Sequence, residues 1–312
     1  MNHIHSVWTE KYRPLTIAEC ILPKATASEF TGFIKLGKIP NILLAGPAGT
    51  GKTTAALALC RELGYDHIVI NGSNEGRLID TLRTKITNFA SSVSLDGSRK
   101  CVILDEADYI PAEIQAALRG FMEEFASNCS FILTCNFPNR IMEAIHSRCA
   151  VIDFTIPKAE RQTLIIELFK RISMILDTEG VTYDKRALVT MVGKFFPDMR
   201  RLLNELQRKG TDGIDAGSLE GAVESDLAEL VKHLKGKNFR DVRKWVATTP
   251  NLDIAYIARQ LYDNMYELCV HEDMPNLIML LAEYQYKNAF VADKEINIMA
   301  MLVEIMAAVR FK

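Results

Sequence analysis

In the first half of the chain the apolar positions gather into five short runs, residues 41–45, 67–71, 100–105, 130–135 and 150–154. Each is apolar almost throughout, as strands covered on both faces tend to be; a sheet with one wet face alternates instead. Helical patterns fill most of the intervals, so the pattern predicts an α/β fold around a doubly wound parallel sheet. After Pro157 the texture changes, and no convincing strand follows. Leu164, Leu168 and Ile172 recur at helical spacing, and residues 187–196 and 199–207 continue the helical pattern, with Asp198 placed to cap the second. A looser stretch, 210–217, precedes a further helical series at 227–234, 239–246, 254–268, 277–284 and 296–309. In the last of these Met299, Leu302, Val303 and Met306 share a face, a stripe expected to be core or subunit contact rather than a cofactor box.

The first strand runs into Gly46-Pro47-Ala48-Gly49-Thr50-Gly51-Lys52-Thr53, and Thr54 begins a helix-forming stretch. Strand, glycine loop and helix in that order make a complete Walker A loop. The glycines let successive backbone N–H groups turn toward phosphate oxygens, and the helix N-terminus adds its partial positive charge. Lys52 is expected on the β- and γ-phosphates and the Thr53 hydroxyl on Mg²⁺, so the chain binds a nucleoside triphosphate. The third strand ends in Asp105-Glu106, at the carboxyl edge where ligands of such sheets bind. Asp105 is placed for the Mg²⁺ shell and Glu106 for the attacking water, the two tasks hydrolysis requires. The fourth strand ends at Asn136, which either faces the γ-phosphate or opens the turn toward Pro138. Arg148, Arg200 and Arg201 are open to two readings on the sequence alone, phosphate contact or solvated surface charge.

The chain has 312 residues, 48% of them hydrophobic, enough for two or three domains with cores of their own. A net charge of −2 leaves any nucleic-acid binding to a local patch. Such a patch is offered by residues 77–100, where Arg77, Arg83, Lys85, Arg99 and Lys100 face Asp80 and Asp96, although a solvated helix face has the same composition. The seven cysteines include no CxxC pair, and buried thiols in a reducing compartment are expected rather than zinc or disulfides. The first residues lack an apolar signal core and no run is long enough to span a membrane, so the expectation is a soluble, intracellular protein.

Six blocks together resemble sliding-clamp-loader ATPases: Trp8-Thr9-Glu10-Lys11-Tyr12-Arg13-Pro14, the loop at 46–53, Asp105-Glu106-Ala107-Asp108, Thr134-Cys135-Asn136, Ser147-Arg148-Cys149 and Pro197-Asp198-Met199-Arg200-Arg201. These ATPases are the replication factor C small subunits and their bacteriophage relatives within the AAA+ superfamily. Cys20-Ile21-Leu22-Pro23, Thr87-Asn88-Phe89-Ala90 and Ser127-Asn128-Cys129-Ser130 resemble the T-even phage branch. The likeness is dense over residues 7–207 and architectural beyond. It implies a nucleotide domain at 1–156, a helical lid at 157–223 and an oligomerising helical collar at 224–312. It implies that Tyr12 and Arg13 line the adenine pocket, that Asn136 and Arg200 sense phosphate within the chain, and that Arg148 reaches the γ-phosphate of a neighbouring subunit. Arg201 would support Arg200. Arg77, Arg83 and Lys85 fall in the family's DNA-facing region, and Gln115 would couple DNA occupancy to Glu106. The implied cofactors are ATP and Mg²⁺. The implied partners are a sliding clamp, met near residues 109–114, primer–template DNA, and other loader subunits in a five-membered ring or spiral. A cytoplasmic site of action follows, in the host if the chain is phage-encoded. Other AAA+ motors, a branch-migration helicase or a protein remodeller, share the Walker residues, but residues 8–14 together with Ser147-Arg148-Cys149 speak against them. The intact Glu106 and Arg148 speak against a subunit that binds ATP without turnover.

Overall fold

The computed structural model describes residues 7–73, 79–92, 97–210, 213–214, 224–248, 254–288, 290–291 and 293–312. The chain divides into two compact units, Met1–Asp215 and Ala216–Lys312. The break falls within the loose 210–217 stretch, and residues 215–223, where the lid was expected to end, lie outside the described residues.

The first unit is built on a five-stranded parallel sheet in the order β2-β3-β4-β1-β5. The strands are β1 (Ile42–Ala45), β2 (Asp66–Asn71), β3 (Lys100–Asp105), β4 (Cys129–Cys135) and β5 (Ala150–Asp153), matching the five apolar runs. The register sets Ile42 beside both Ile132 and Ala150, which carries the end of β1 between the ends of β4 and β5. Period-two geometry explains why the central runs are apolar throughout: successive side chains enter opposite cores. Leu43, Val102, Leu104, Phe131 and Leu133 pack with α4 (Ile79–Ser91) and α5 (Ala112–Glu124) on one face. Ile42, Leu44, Cys101, Ile103 and Ile132 pack with α2 (Lys24–Leu36) and α3 (Lys52–Glu62) on the other. The edge strands depart from the expected double cover. In β5 only Ile152 is buried, and in β2 Val69 is exposed, because each edge has a neighbour on one side only.

A short helix α1 (Trp8–Lys11) precedes the sheet and another, α6 (Glu143–His146), lies between β4 and β5, while α7 (Arg161–Glu179), α8 (Lys185–Phe195) and α9 (Met199–Lys209) follow it. Asp198 caps α9 as expected, its carboxylate accepting from Arg201 N at 3.0 Å. Among the described residues after Pro157 the only β pairings are two isolated bridges.

The second unit comprises α10 (Glu224–Lys235), α11 (Phe239–Thr248), α12 (Ile254–Asp263), α13 (Met265–Leu268), α14 (Met274–Lys287) and α15 (Lys294–Ala308) around its own apolar core. The single helix expected over 254–268 is broken at Asn264, whose side-chain amide donates to Gln260 O at 2.9 Å. The buried stripe of α15 is Ile298, Met301, Leu302, Ile305 and Met306, while Met299 and Val303 are only partly covered. All seven cysteines are free, five of them buried, and burial pushes the Cys20 and Cys149 thiols up to about 12. No helix among the described residues is long and apolar enough to cross a membrane.

Candidate active site

The Walker A loop follows β1 without a break, Gly46 N donating to Cys135 O at 3.2 Å, so β4 fixes where the loop begins. Gly49 has φ +75°, and a Cβ there would lie 1.9 Å from Asp198 Oδ1. Met199 N donates to Gly49 O at 3.1 Å. The glycine therefore admits the N-terminus of α9 against the loop, a role separate from wrapping phosphate. Lys52 opens α3 and is buried; its Nζ donates to Gly46 O and Pro47 O at 2.7 Å each and to Asn136 Oδ1 at 2.8 Å. Burial lowers the pKa of this ammonium, and the nearby Asp105 and Asp108 carboxylates oppose that shift.

Asp105 ends β3 and accepts from Thr53 Oγ1 at 2.6 Å and from Thr134 Oγ1 at 2.7 Å. Thr134 also accepts from Glu106 N at 3.1 Å, so one buried hydroxyl holds both acids of the pair. Thr134 was legible only as part of a motif; its signal is a polar residue placed inside an otherwise apolar strand. Glu106 itself has φ +55°, a left-handed conformation uncommon for a side-chain-bearing residue. Its carbonyl is packed against Gly72, where a Cβ would approach within 2.5 Å. Asp108 is buried and receives Asn136 N and Phe137 N at 3.2 Å each, which anchors the turn after β4. A hydroxyl and a carboxylate oxygen held together fit the hard-oxygen preference of Mg²⁺. Mg²⁺ sites on phosphates commonly take only one or two protein ligands.

Asp105, Glu106, Thr134 and Asn136 line one cleft with Thr9, Tyr12, Arg13, residues 48–54, Leu168, Arg171, Ile172, Met199 and Arg200. Arg171 of α7 donates to Tyr12 O at 3.1 Å and to Glu19 O at 3.0 Å, pinning both ends of the intervening strap. The Tyr12 hydroxyl donates to Glu179, which Lys11 also meets at 2.7 Å; burial foremost, and then this carboxylate, raise the phenol pKa. Arg13 pairs with Glu10, and its Nε is buried without a partner. Arg200 is exposed at the cleft and has no side-chain partner among the described residues, whereas Arg201 turns to the Phe195 ring, 5.5 Å from its centroid. Arg171 was missed in the sequence, because its partners are backbone carbonyls that no residue pattern announces.

Other expected residues lie elsewhere. Arg148 is partly exposed, its Nη1 donating to Ala144 O at 2.7 Å and its Nε to Glu123 Oε1 at 3.0 Å; it does not line the cleft of its own chain. Gln115 is buried, donating to Ile110 O and Arg140 O at 2.9 and 3.0 Å and accepting from Met142 N at 2.8 Å. It ties the turn after Glu106 to the loop before α6 without touching Glu106. Arg83 and Lys85 are exposed on α4, and Arg77 lies outside the described residues. Lys100 corrects the count of surface cations: it is buried, donating to Phe89 O at 2.8 Å near the C-terminal end of α4, where a cation meets the negative end of the helix dipole. Near the expected clamp contact Tyr109 is exposed, while Ile110 and Ile114 are core residues.

Residues 42–156 match the ATPase family associated with various cellular activities (AAA). The sliding-clamp-loader large subunit of Enterobacteria phage T4 is 33% identical over 100% of this chain and 99% of its own length. The corresponding subunit of Escherichia phage RB69 has the same identity and coverage. The replication factor C small subunit of Methanocella arvoryzae is 32% identical over 95% of each chain. Among solved structures, the Thermotoga maritima RuvB Holliday junction branch migration motor superposes with a TM-score of 0.56 over 80% of this chain and 85% of that one. At 17% identity that likeness shows the fold alone. Identity sustained along the whole chain, with the AAA match over the sheet and its loops, places this ATPase in the family of sliding-clamp-loader large subunits and replication factor C small subunits.

Proposed function

We propose that this chain is an ATP-hydrolysing subunit of a sliding-clamp loader, which uses ATP to open a clamp and leave it closed on primer–template DNA during replication. One observation carries the reading: the Walker loop, the Asp105–Glu106 pair, Asn136 and Arg200 share a cleft, while Arg148 stands outside it. An arginine that cannot serve its own nucleotide is suited to complete a neighbour's.

In this reading residues 46–54 cradle the triphosphate, and Lys52 exchanges its carbonyl partners for phosphate oxygens. Thr53 and Asp105 would hold Mg²⁺, which when bound would supply neutralisation of phosphate charge. Glu106 orients and deprotonates the attacking water, and Asn136 and Arg200 register the γ-phosphate. Tyr12 and Arg13 form the base end of the pocket. Arg83 and Lys85, with Arg77, face the DNA backbone, and Gln115 relays DNA occupancy to the turn that carries Glu106. A nucleotide domain over 1–156, a lid over 157–223 and a collar over 224–312 divide these tasks, with five subunits in a ring or spiral. The protein acts in the cytoplasm, that of the host if it is phage-encoded. ATP drives the cycle because its differential affinity for the closed spiral, not its affinity as such, moves the equilibrium.

The test is ATP hydrolysis with and without primer–template DNA and the cognate clamp, for wild type and Arg148→Ala. Joint stimulation is expected in wild type and a loss of about 10³-fold or more in the variant, the scale of arginine fingers elsewhere. Stimulation retained in Arg148→Ala would overturn the in-trans assignment.

A further inference from the structure

The outer face of α11 in the second unit has a composition that packing does not explain. Residues 235–244 hold five cations, Lys235, Lys237, Arg240, Arg243 and Lys244, against one carboxylate, Asp241. Asp241 is turned away from them, toward Asn238 and His233. All five cations are exposed, and none has a hydrogen-bond or ion-pair partner among the described residues. Three cations on other helices are matched within one turn: Arg208 with Glu205, Arg259 with Asp263 and Lys287 with Glu283. On α11, Arg240 instead stands one turn from both Arg243 and Lys244, and like charges at that spacing destabilise a helix.

An aromatic ring sits among these cations. Phe239 is 52% exposed, and it lines a shallow cleft with Arg240, Arg243, Lys244 and Ala247. Val242, Trp245 and Val246 of α11 enter the core, whereas Phe239, at the first turn and at the border between that stripe and the cations, stays outside it. Clustered cations around an exposed aromatic face are what a single nucleic-acid strand requires: charge for the backbone and a platform for an unstacked base. Duplex DNA would use the cations but has no free base to offer the ring. An acidic polypeptide would likewise leave the ring without a role.

We propose that this face of α11 is a binding site for single-stranded nucleic acid, with phosphates on Arg240, Arg243 and Lys244 and a base stacked on Phe239. The proposal rests on the reading of the chain as an ATPase that works on DNA, and it adds a second contact, separate from Arg83 and Lys85.

The test is fluorescence anisotropy of labelled oligothymidylate with the full chain across a salt series. It compares wild type, Phe239→Ala, Phe239→Trp and the triple variant Arg240→Ala/Arg243→Ala/Lys244→Ala. The triple variant is expected to bind more weakly and to lose about two units from the slope of log affinity against log salt, as three phosphate contacts predict. Phe239→Ala is expected to weaken binding about tenfold with the slope unchanged, and Phe239→Trp to restore it. Wild-type affinity in both the triple variant and Phe239→Ala would overturn the site. Polyglutamate binding lost in the triple variant, with oligothymidylate binding intact in Phe239→Ala, would overturn it in favour of an acidic protein partner. Altered sedimentation with unchanged DNA affinity would overturn it in favour of subunit packing. ATPase stimulation by primer–template and clamp, measured on the same preparations, decides the loader reading separately: a stimulated wild type beside variants of wild-type oligothymidylate affinity removes the α11 site alone.

Discussion

Glu106 owes its position to two neighbours, the Thr134 hydroxyl on its backbone N–H and Gly72 against its carbonyl. Backbone held in a sparsely populated region persists only where its surroundings over-determine it. Gly72→Ala drives a methyl into that carbonyl, and the expected outcome is ATP binding near wild type with turnover reduced about 10²-fold, the scale of a misplaced catalytic group. Nucleotide affinity measured beside single-turnover rates checks it. Lys237 ends the turn between α10 and α11 at φ +49°, where an L-residue is strained. Lys237→Gly is expected to raise stability by about 1 kcal/mol in a urea titration. At this scale the sequence was legible where chemistry is local: Lys52 meets Asn136 and Thr53 meets Asp105 because the Walker loop and the ends of β3 and β4 converge. It was silent on Arg171, which reaches carbonyls more than 150 positions away, and it made Lys100 look like surface charge.

The strands were legible as elements because each central one feeds two cores, which makes its residues apolar in succession. Their exposed edges were not, since a run of apolar residues does not disclose how many neighbours a strand will find. The break between α12 and α13 was hidden for a related reason. Ile257, Leu261 and Met265 keep helical spacing across Asn264, so the apolar pattern runs through the interruption unchanged. The docking of α9 on the Walker loop was also invisible, because Gly49 already had an explanation in phosphate binding. Gly49→Ala separates the two roles: the left-handed φ and the approach to Asp198 both penalise a methyl. A loss of about 2 kcal/mol in stability is expected even without nucleotide, read by thermal or urea denaturation.

At the scale of the molecule, each unit has its own core, and each is closed by a charged clasp. In the second unit Arg310 grips Asp273 through Nε and Nη2, at 2.7 and 3.1 Å, and Glu272 through Nη2 at 2.7 Å, while Val270 N donates to Arg310 O. Hydrogen bonds from Arg310 hold the Asp273 carboxyl below its ordinary value of 3.8. A depressed carboxylate contributes stability that is present above its unfolded pKa and lost as pH falls through the folded one. Asp273→Asn is therefore expected to melt earlier than wild type at pH 7, with the gap closing once the pH drops below 3.8, which a pH series of thermal scans measures. In the first unit the comparable fastening is Arg171, one guanidinium riveting the Tyr12–Glu19 wall of the cleft to the long helix α7. Any tilt of that helix must drag the wall along. A small molecule prising the rivet loose would free the wall and the helix in one stroke, an effect beyond the reach of a mimic of the triphosphate.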